Sequence, residues 1–130
     1  MRGYRTAVAA ILLGLLATPV VAEAPKVTPL RSQDLAGLGK EGTMLMVEYA
    51  PGGSSERHRH NAHVFVYVLE GSVVMQVEGR DAVTLKPGQT FYESPDDIHS
   101  VSKNASDSQP AKFLVFFVKD KGAPPVVPVR

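Results

Sequence analysis

The sequence predicts an all-β domain, built as a sandwich of two sheets or as a closed barrel. Its apolar residues occur in many short runs, and turns rich in glycine and proline separate these runs at fairly even spacing. Within residues 72–78, Val73, Met75 and Val77 alternate with mostly polar neighbours, which is the period of a strand with one buried face. No stretch after residue 22 has the pattern of a long amphipathic helix.

The elements follow in order along the chain. Residues 23–43 form an arm and a loop with two prolines and three glycines, in which Val27–Arg31 is predicted to be extended and Ser32–Leu35 to start one helical turn. The predicted strands are residues 43–49, 63–69, 72–78, 83–85, 89–93, 98–102 and 111–119. Glu70 and Gly71 are predicted to form a hairpin turn. We therefore predict a barrel over residues 44–118 and a proline-rich tail over residues 119–130 that lies along the surface.

The first 22 residues have the pattern of a secretory signal peptide. Arg2 and Arg5 precede an apolar run, Ala7–Ala17, that is short for a membrane span, and small residues follow it up to Ala22. We predict cleavage after Ala22 and a periplasmic or secreted protein; an uncleaved anchor is the alternative.

Charge and cysteine content exclude several classes of function. Loss of Arg2 and Arg5 with the signal peptide would lower the formal charge from +1 to −1, because no acidic residue precedes Glu23. We therefore expect no nucleic-acid partner and, after cleavage, no membrane partner. The chain has no cysteine, so a metal site would use only nitrogen and oxygen ligands.

The histidines are concentrated in two places. His58, His60 and His63 precede an apolar run, and His99 follows a turn about 40 residues later. Imidazole is a common metal ligand, and histidines at positions i and i+2 of a strand point to the same face. We predict that His58, His60 and His99 bind one metal ion inside the barrel. The five phenylalanines and four methionines are predicted to form the core.

These residues resemble the two motifs of the cupin superfamily. Gly52, His58, His60 and Gly71 have the spacing of the first motif, G(X)5HXH(X)3-4E(X)6G. In the second motif, G(X)5PXG(X)2H(X)3N, Ser94 and Asp96 replace the proline and glycine, His99 takes the histidine position, and Asn104 lies one residue late. The resemblance covers about residues 44–118. It implies a single jelly-roll β-barrel (a double-stranded β-helix), a divalent metal and a homodimer.

The sequence departs from the first motif at the glutamate. That position falls on Val64 or Phe65, neither of which can bind a metal. His63 is the predicted substitute, provided that a bulge or the end of the loop brings it to the same face as His58 and His60. Glu93 is the first candidate for a catalytic acid or base beside the metal, ahead of Glu48, Gln76 and Tyr92.

We therefore predict an exported cupin that binds one divalent metal ion (Fe, Zn, Mn, Ni or Cu) and acts on a small organic molecule. The resemblance implies a dioxygenase-, isomerase- or decarboxylase-like activity. A module that binds or senses a metal or small ligand without turning it over is the first alternative. A structural or carbohydrate-binding barrel without a metal is the second.

Overall fold

Two antiparallel sheets packed face to face make up the fold. The computed structural model describes residues 21–130, and no helix occurs in this range. The strands are β1 (Lys26–Leu35), β2 (Lys40–Tyr49), β3 (Ser54–Ser55), β4 (His58–Arg59), β5 (His63–Glu70), β6 (Val73–Val77), β7 (Val83–Leu85), β8 (Thr90–Glu93), β9 (His99–Asn104), β10 (Ala111–Asp120) and β11 (Val127–Pro128). The predicted all-β class is confirmed. The predicted signal peptide lies outside the described residues, except for its last two.

The first sheet has the order β1-β2-β10-β5-β8. Its centre is β10, which pairs along its whole length with β2, from Ala111 opposite Tyr49 to Asp120 opposite Lys40. The predicted helical turn at Ser32–Leu35 is wrong, because these residues belong to β1 and continue its pairing with β2. The amino-terminal arm is thus an edge strand, with one register shift between Pro29 and Arg31. Within residues 21–130 there is no helix long and apolar enough to cross a membrane.

The second sheet has the order β11-β4-β9-β6-β7, with β3 also paired to β9. Since β5 and β6 lie in different sheets, the predicted hairpin turn at Glu70 and Gly71 is wrong: the chain turns a corner there. Gly71 has a φ of +69°, and a Cβ atom at this position would lie 2.4 Å from the Pro110 carbonyl oxygen. Only glycine fits so close an approach without strain.

The carboxyl-terminal tail does more than lie on the surface. Val127 pairs with Arg59, and Pro128 pairs with His58, so that β11 forms the outer edge of the second sheet. Proline is compatible with an edge position because its missing N–H has no inner partner. The tail therefore lies directly beside the strand that carries His58.

The core lies between the two sheets. In β5, Val64, Val66 and Val68 are buried, whereas the residues between them are exposed. Burying an aliphatic or aromatic side chain of this kind contributes about 1.5–3 kcal/mol. The prediction that all phenylalanines are core residues is wrong for Phe65, which is 50% exposed, and for Phe116, because both face outward from the first sheet.

Candidate metal centre

The side chains of His58 and His60 lie on the same side of the chain, and both point into the space between the two sheets. His58 lies on β4 and His60 follows it by two residues, so the strand alternation turns both rings inward. Each side chain is only 8% exposed. Asn61 then has a φ of +50° and begins the crossing to β5 in the first sheet.

His99 lies on the strand next to β4. It is paired directly with His58 on one side and with Val77 on the other. Between His99 and Val101 the register with β6 shifts by one residue, which is a β-bulge. The bulge brings His99 to the same inner face as Ser102 and Asn104, and it accounts for the extra residue before Asn104 in the second motif.

Backbone carbonyl groups fix the tautomers of two of the rings. The Nδ1 atom of His58 lies 2.6 Å from the Glu56 carbonyl oxygen, and the Nδ1 atom of His60 lies 2.6 Å from the Pro125 carbonyl oxygen. A carbonyl oxygen can only accept, so both Nδ1 atoms carry hydrogen. Burial lowers the pKa of both His58 and His60, which favours neutral rings.

The two Nε2 atoms of these rings consequently face each other as lone pairs. They lie 3.0 Å apart, with no hydrogen left to place between them when both rings are neutral. Two imidazole nitrogens bound at adjacent positions of one metal ion, by bonds of about 2.1 Å, also lie roughly 3 Å apart. A cation bound by both Nε2 atoms accounts for this arrangement, whereas two facing lone pairs without a cation would repel each other.

Glu93 brings a carboxylate to the same point. It is 2% exposed and lies directly opposite Val64 in the pairing of β8 with β5, so both side chains point inward side by side. Its Oε1 atom lies 2.8 Å from His99 Nδ1, and its Oε2 atom lies 3.4 Å from His60 Nε2. The glutamate missing at Val64 is therefore present on the neighbouring strand.

The buried polar atoms of Glu93 and His99 have no hydrogen-bond partner among the described residues. Although Glu93 Oε1 and His99 Nδ1 are close, the oxygen does not lie along the direction of a ring N–H. Leaving a carboxylate buried without a donor or counterion is costly. His58, His60 and His99 each offer a ligand atom within 4.8 Å of the others, and a divalent cation among these groups would satisfy the free atoms.

The other candidates lie elsewhere. His63 begins β5 with an exposed side chain, and its Nδ1 atom lies 2.7 Å from the Tyr92 hydroxyl on the outer face of the first sheet. No bulge brings it inward, so the structure does not place His63 with the other three histidines. The side-chain amide of Gln76 donates a hydrogen bond to the Arg80 carbonyl oxygen, and the Glu48 carboxylate forms an ion pair with Lys26.

The histidine cluster opens into a cavity of about 560 Å³ between the sheets. Most of its wall is apolar and includes Leu45, Met75, Phe113 and Val115. The polar residues that line the cavity are those of the histidine cluster, those at the opening of the cavity, and a separate group formed by Tyr49, Ser55 and Ser102. The group formed by Tyr49, Ser55 and Ser102 and the role of the Pro125 carbonyl are not predicted from the sequence, because no local pattern links residues that far apart.

Comparison with known proteins identifies the family. Residues 45–117 match the family of the cupin domain, which is more than half of the chain. This chain is a cupin. The predicted resemblance and the jelly-roll architecture are confirmed, although the two sheets do not close into one continuous ladder. Among proteins of curated function, none matches the sequence.

Solved structures similar to this cupin include three enzymes. An oxalate oxidase in complex with glycolate has a TM-score of 0.64 and 25% identity, over 81% of this chain and 55% of its own. The polyketide cyclase RemF from Streptomyces resistomycificus has a TM-score of 0.63 and 25% identity, over 84% and 73%. The DMSP lyase DddQ from Ruegeria pomeroyi has a TM-score of 0.60 and 20% identity, over 68% and 43%. This cupin thus spans about half the length of the oxidase and the lyase.

Proposed function

We propose that this cupin is an exported protein that binds one divalent metal ion through His58, His60, His99 and Glu93 and acts on a small, mostly apolar organic molecule. The observation that carries the proposal is the convergence of three buried imidazoles and one buried carboxylate: the Nε2 atoms of His58 and His60 face each other, and the carboxylate of Glu93 and the ring nitrogens of His99 have no hydrogen-bond partner among the described residues. Nitrogen and oxygen ligands of this kind suit Mn, Fe, Ni, Cu or Zn.

The residues around the cluster support chemistry on a bound molecule. The Glu56 and Pro125 carbonyl groups hold the rings of His58 and His60 in one tautomer, and Phe91 and Phe117 pack against His99 and His60. The apolar wall of the cavity would orient a mostly apolar substrate. A divalent metal ion in this position would polarise a substrate oxygen or activate dioxygen.

The similar enzymes support action on a small molecule, since an oxalate oxidase, a polyketide cyclase and a lyase share the fold. The dioxygenase-, isomerase- or decarboxylase-like activities predicted from the resemblance are of the same general kind. The alternative of a module that only binds or senses its ligand rested on the glutamate missing at Val64. Glu93 supplies a carboxylate in its place, which favours the enzyme.

Elemental analysis tests the metal site. We expect close to one equivalent of a transition metal in protein purified without chelator or histidine tag, and loss of nearly all of it in the His58→Ala/His60→Ala variant. The matched control is His63→Ala, which should keep the metal because His63 lies on the outer face. A metal-free wild type that stays metal-free after incubation with Zn²⁺, Mn²⁺ or Fe²⁺ would rule the site out. The intact mass of the same preparation tests export, since it should begin at Glu23.

We also propose that the protein forms a homodimer in which the outer face of the first sheet is the interface between the subunits. Met44, Phe116, Phe65 and Tyr92 form one row across four paired strands, with Tyr67 beside it; we call these five residues the outer patch. All five are partly exposed, and Phe65 and Tyr67 are about half exposed. A contiguous apolar patch of this kind on a soluble protein is typical of an interface.

We expect sedimentation to show a dimer of the wild-type protein and a monomer of the Phe65→Glu variant. The new carboxylate would lie in the middle of the outer patch and would be buried without a partner in a dimer. Val83→Glu is the control, because Val83 is similarly exposed but lies on β7 in the other sheet. A monomeric wild type at micromolar concentration would refute this proposal.

A further inference from the structure

We propose that the cavity contains a second recognition point, formed by the hydroxyl groups of Tyr49, Ser55 and Ser102, which donates a hydrogen bond to an oxygen atom of the bound molecule. We call these three groups the hydroxyl triad. The inference deepens the function proposed above, because it defines the class of molecule whose other end lies at the metal centre.

The hydrogen-bonding capacity of the triad leaves one donor free. The Tyr49 hydroxyl lies 2.6 Å from Ser55 Oγ and 2.7 Å from Ser102 Oγ. Three hydroxyl groups carry three hydrogens, and the two bonds between them use two. None of these hydroxyl groups bonds any other described residue, so one hydrogen among the three groups, all of which line the cavity, is left for a further acceptor.

Burial makes that free donor significant. Tyr49 is 1% exposed and Ser102 is 5% exposed, and burial raises the pKa of the Tyr49 hydroxyl, which keeps it protonated. A bound molecule that covers this donor without offering an acceptor would leave it unpaired, at a cost of about 1–3 kcal/mol, so the cavity favours a molecule that offers an acceptor.

The register places the triad one step from the metal centre. Ser55 is paired with Ser102 across β3 and β9, just as His58 is paired with His99 across β4 and β9. His99 lies opposite Val77 and Ser102 lies opposite Met75, and these two β6 residues are successive inward positions, which are about 7 Å apart. The two serines therefore lie one row from the metal centre on the second sheet, and Tyr49 reaches them from β2 of the first sheet.

The surface facing these rows is apolar. Val47, Phe113 and Val115 of the first sheet line the same cavity, and Met75 lies directly opposite Ser102 on β6. Such a surface suits a hydrocarbon body, and Arg57, the cationic side chain of the cavity lining, is already paired with Glu78. We therefore assign the site to an aromatic or similar apolar molecule with one oxygen function at the metal centre and a hydrogen-bond acceptor one ring away.

Two pairs of isosteric probes test this assignment. The protein saturated with Zn²⁺ is titrated calorimetrically with 4-acetylbenzoate and with 4-isopropylbenzoate, in which a methyl group takes the place of the carbonyl oxygen. The metal-free protein is titrated with acetophenone and with cumene, which report on the triad alone. Each ratio of affinities is compared between the wild type and the Tyr49→Phe/Ser55→Ala/Ser102→Ala variant. Removing all three hydroxyl groups together leaves no buried donor unpaired.

We expect the preference for the acetyl probe to fall three- to tenfold in the triple variant, which corresponds to one neutral hydrogen bond. Tyr67→Phe, on the outer face, should leave the ratio unchanged. Thermal unfolding of each variant shows that it is folded at the titration temperature. Ratios that agree within twofold between wild type and triple variant would overturn the assignment, as would a wild type that binds none of the four probes.

Failure of the metal site remains distinguishable from failure of the triad. If the protein retains no Zn²⁺, the proposed function fails, and the acetophenone and cumene ratio still decides whether the triad donates to an acceptor. If Zn²⁺ is retained and neither ratio responds to the triple variant, only the triad is refuted.

Discussion

Replacing Glu93 by valine is expected to lower the affinity for Zn²⁺ by about 100-fold or more, and moving the glutamate to position 64 is expected to restore most of it. Changes to groups that only orient a ligand cost about 10–100-fold in metal affinity, and loss of a ligand should cost at least as much. The Glu93→Val change also removes a buried carboxylate, so the variant should fold well without the metal.

The restoring variant is Val64→Glu/Glu93→Val. Position 64 lies directly opposite position 93 in the pairing of β5 with β8, and both side chains are buried between the sheets. The exchange therefore keeps the composition of the site and moves its carboxylate by one strand. It also returns the glutamate to the place that the first cupin motif gives it.

Competition with a chromophoric chelator measures these affinities. Glu48→Val is the control, because Glu48 lies at the surface with Lys26 and outside the cavity. A Glu93→Val variant that keeps the wild-type affinity for Zn²⁺ would contradict the ligand role. If such a variant also lost turnover, the result would instead favour the catalytic acid or base first predicted for Glu93.

The structure is predictable from the sequence where a local pattern determines it. The alternation of Val73, Met75 and Val77 predicted the inner face of β6, and the spacing of His58 and His60 predicted that both rings share a face. These results depend only on the two-residue period of a strand. The motif spacing extended the prediction to His99, and the extra residue before Asn104 is the sign in the sequence of the bulge that positions it.

The features that sequence analysis missed depend on pairing between distant residues. Nothing local indicates that Glu93 lies beside Val64, because that contact depends on the register of β5 with β8. The corner at Gly71 has the local composition of a hairpin, and only the different sheets of β5 and β6 distinguish the two. His63 was predicted to turn inward, but the crossing that starts at Asn61 leaves it on the outer face.

The tail illustrates the same dependence and leads to the second large effect. A chain that ends at Ala123 is expected to bind Zn²⁺ about 10–100-fold more weakly than the full chain. It lacks the Pro125 carbonyl that accepts from His60 Nδ1, and it lacks the pairing of β11 with β4. It keeps the Ala123 carbonyl, which accepts from the buried Lys119, so the end of β10 is preserved.

A chain that ends at Pro128 is the matched control. It loses only Val129 and Arg130 and keeps both the Pro125 carbonyl and the β11 residues, so its Zn²⁺ affinity should stay close to that of the full chain. Chelator competition is performed well below the unfolding temperature of each chain. Nitrogen-15 NMR of the imidazoles provides a second, more specific measurement.

In the full chain without metal, the NMR spectrum should show His60 with hydrogen on Nδ1. In the chain that ends at Ala123, the ring should sample both tautomers, because nothing then holds the hydrogen on Nδ1. An unchanged tautomer together with unchanged affinity would show that the tail does not position His60. A weaker affinity with a mixed tautomer would show that residues 65 positions apart in sequence act together, the carbonyl orienting the ring that binds the metal.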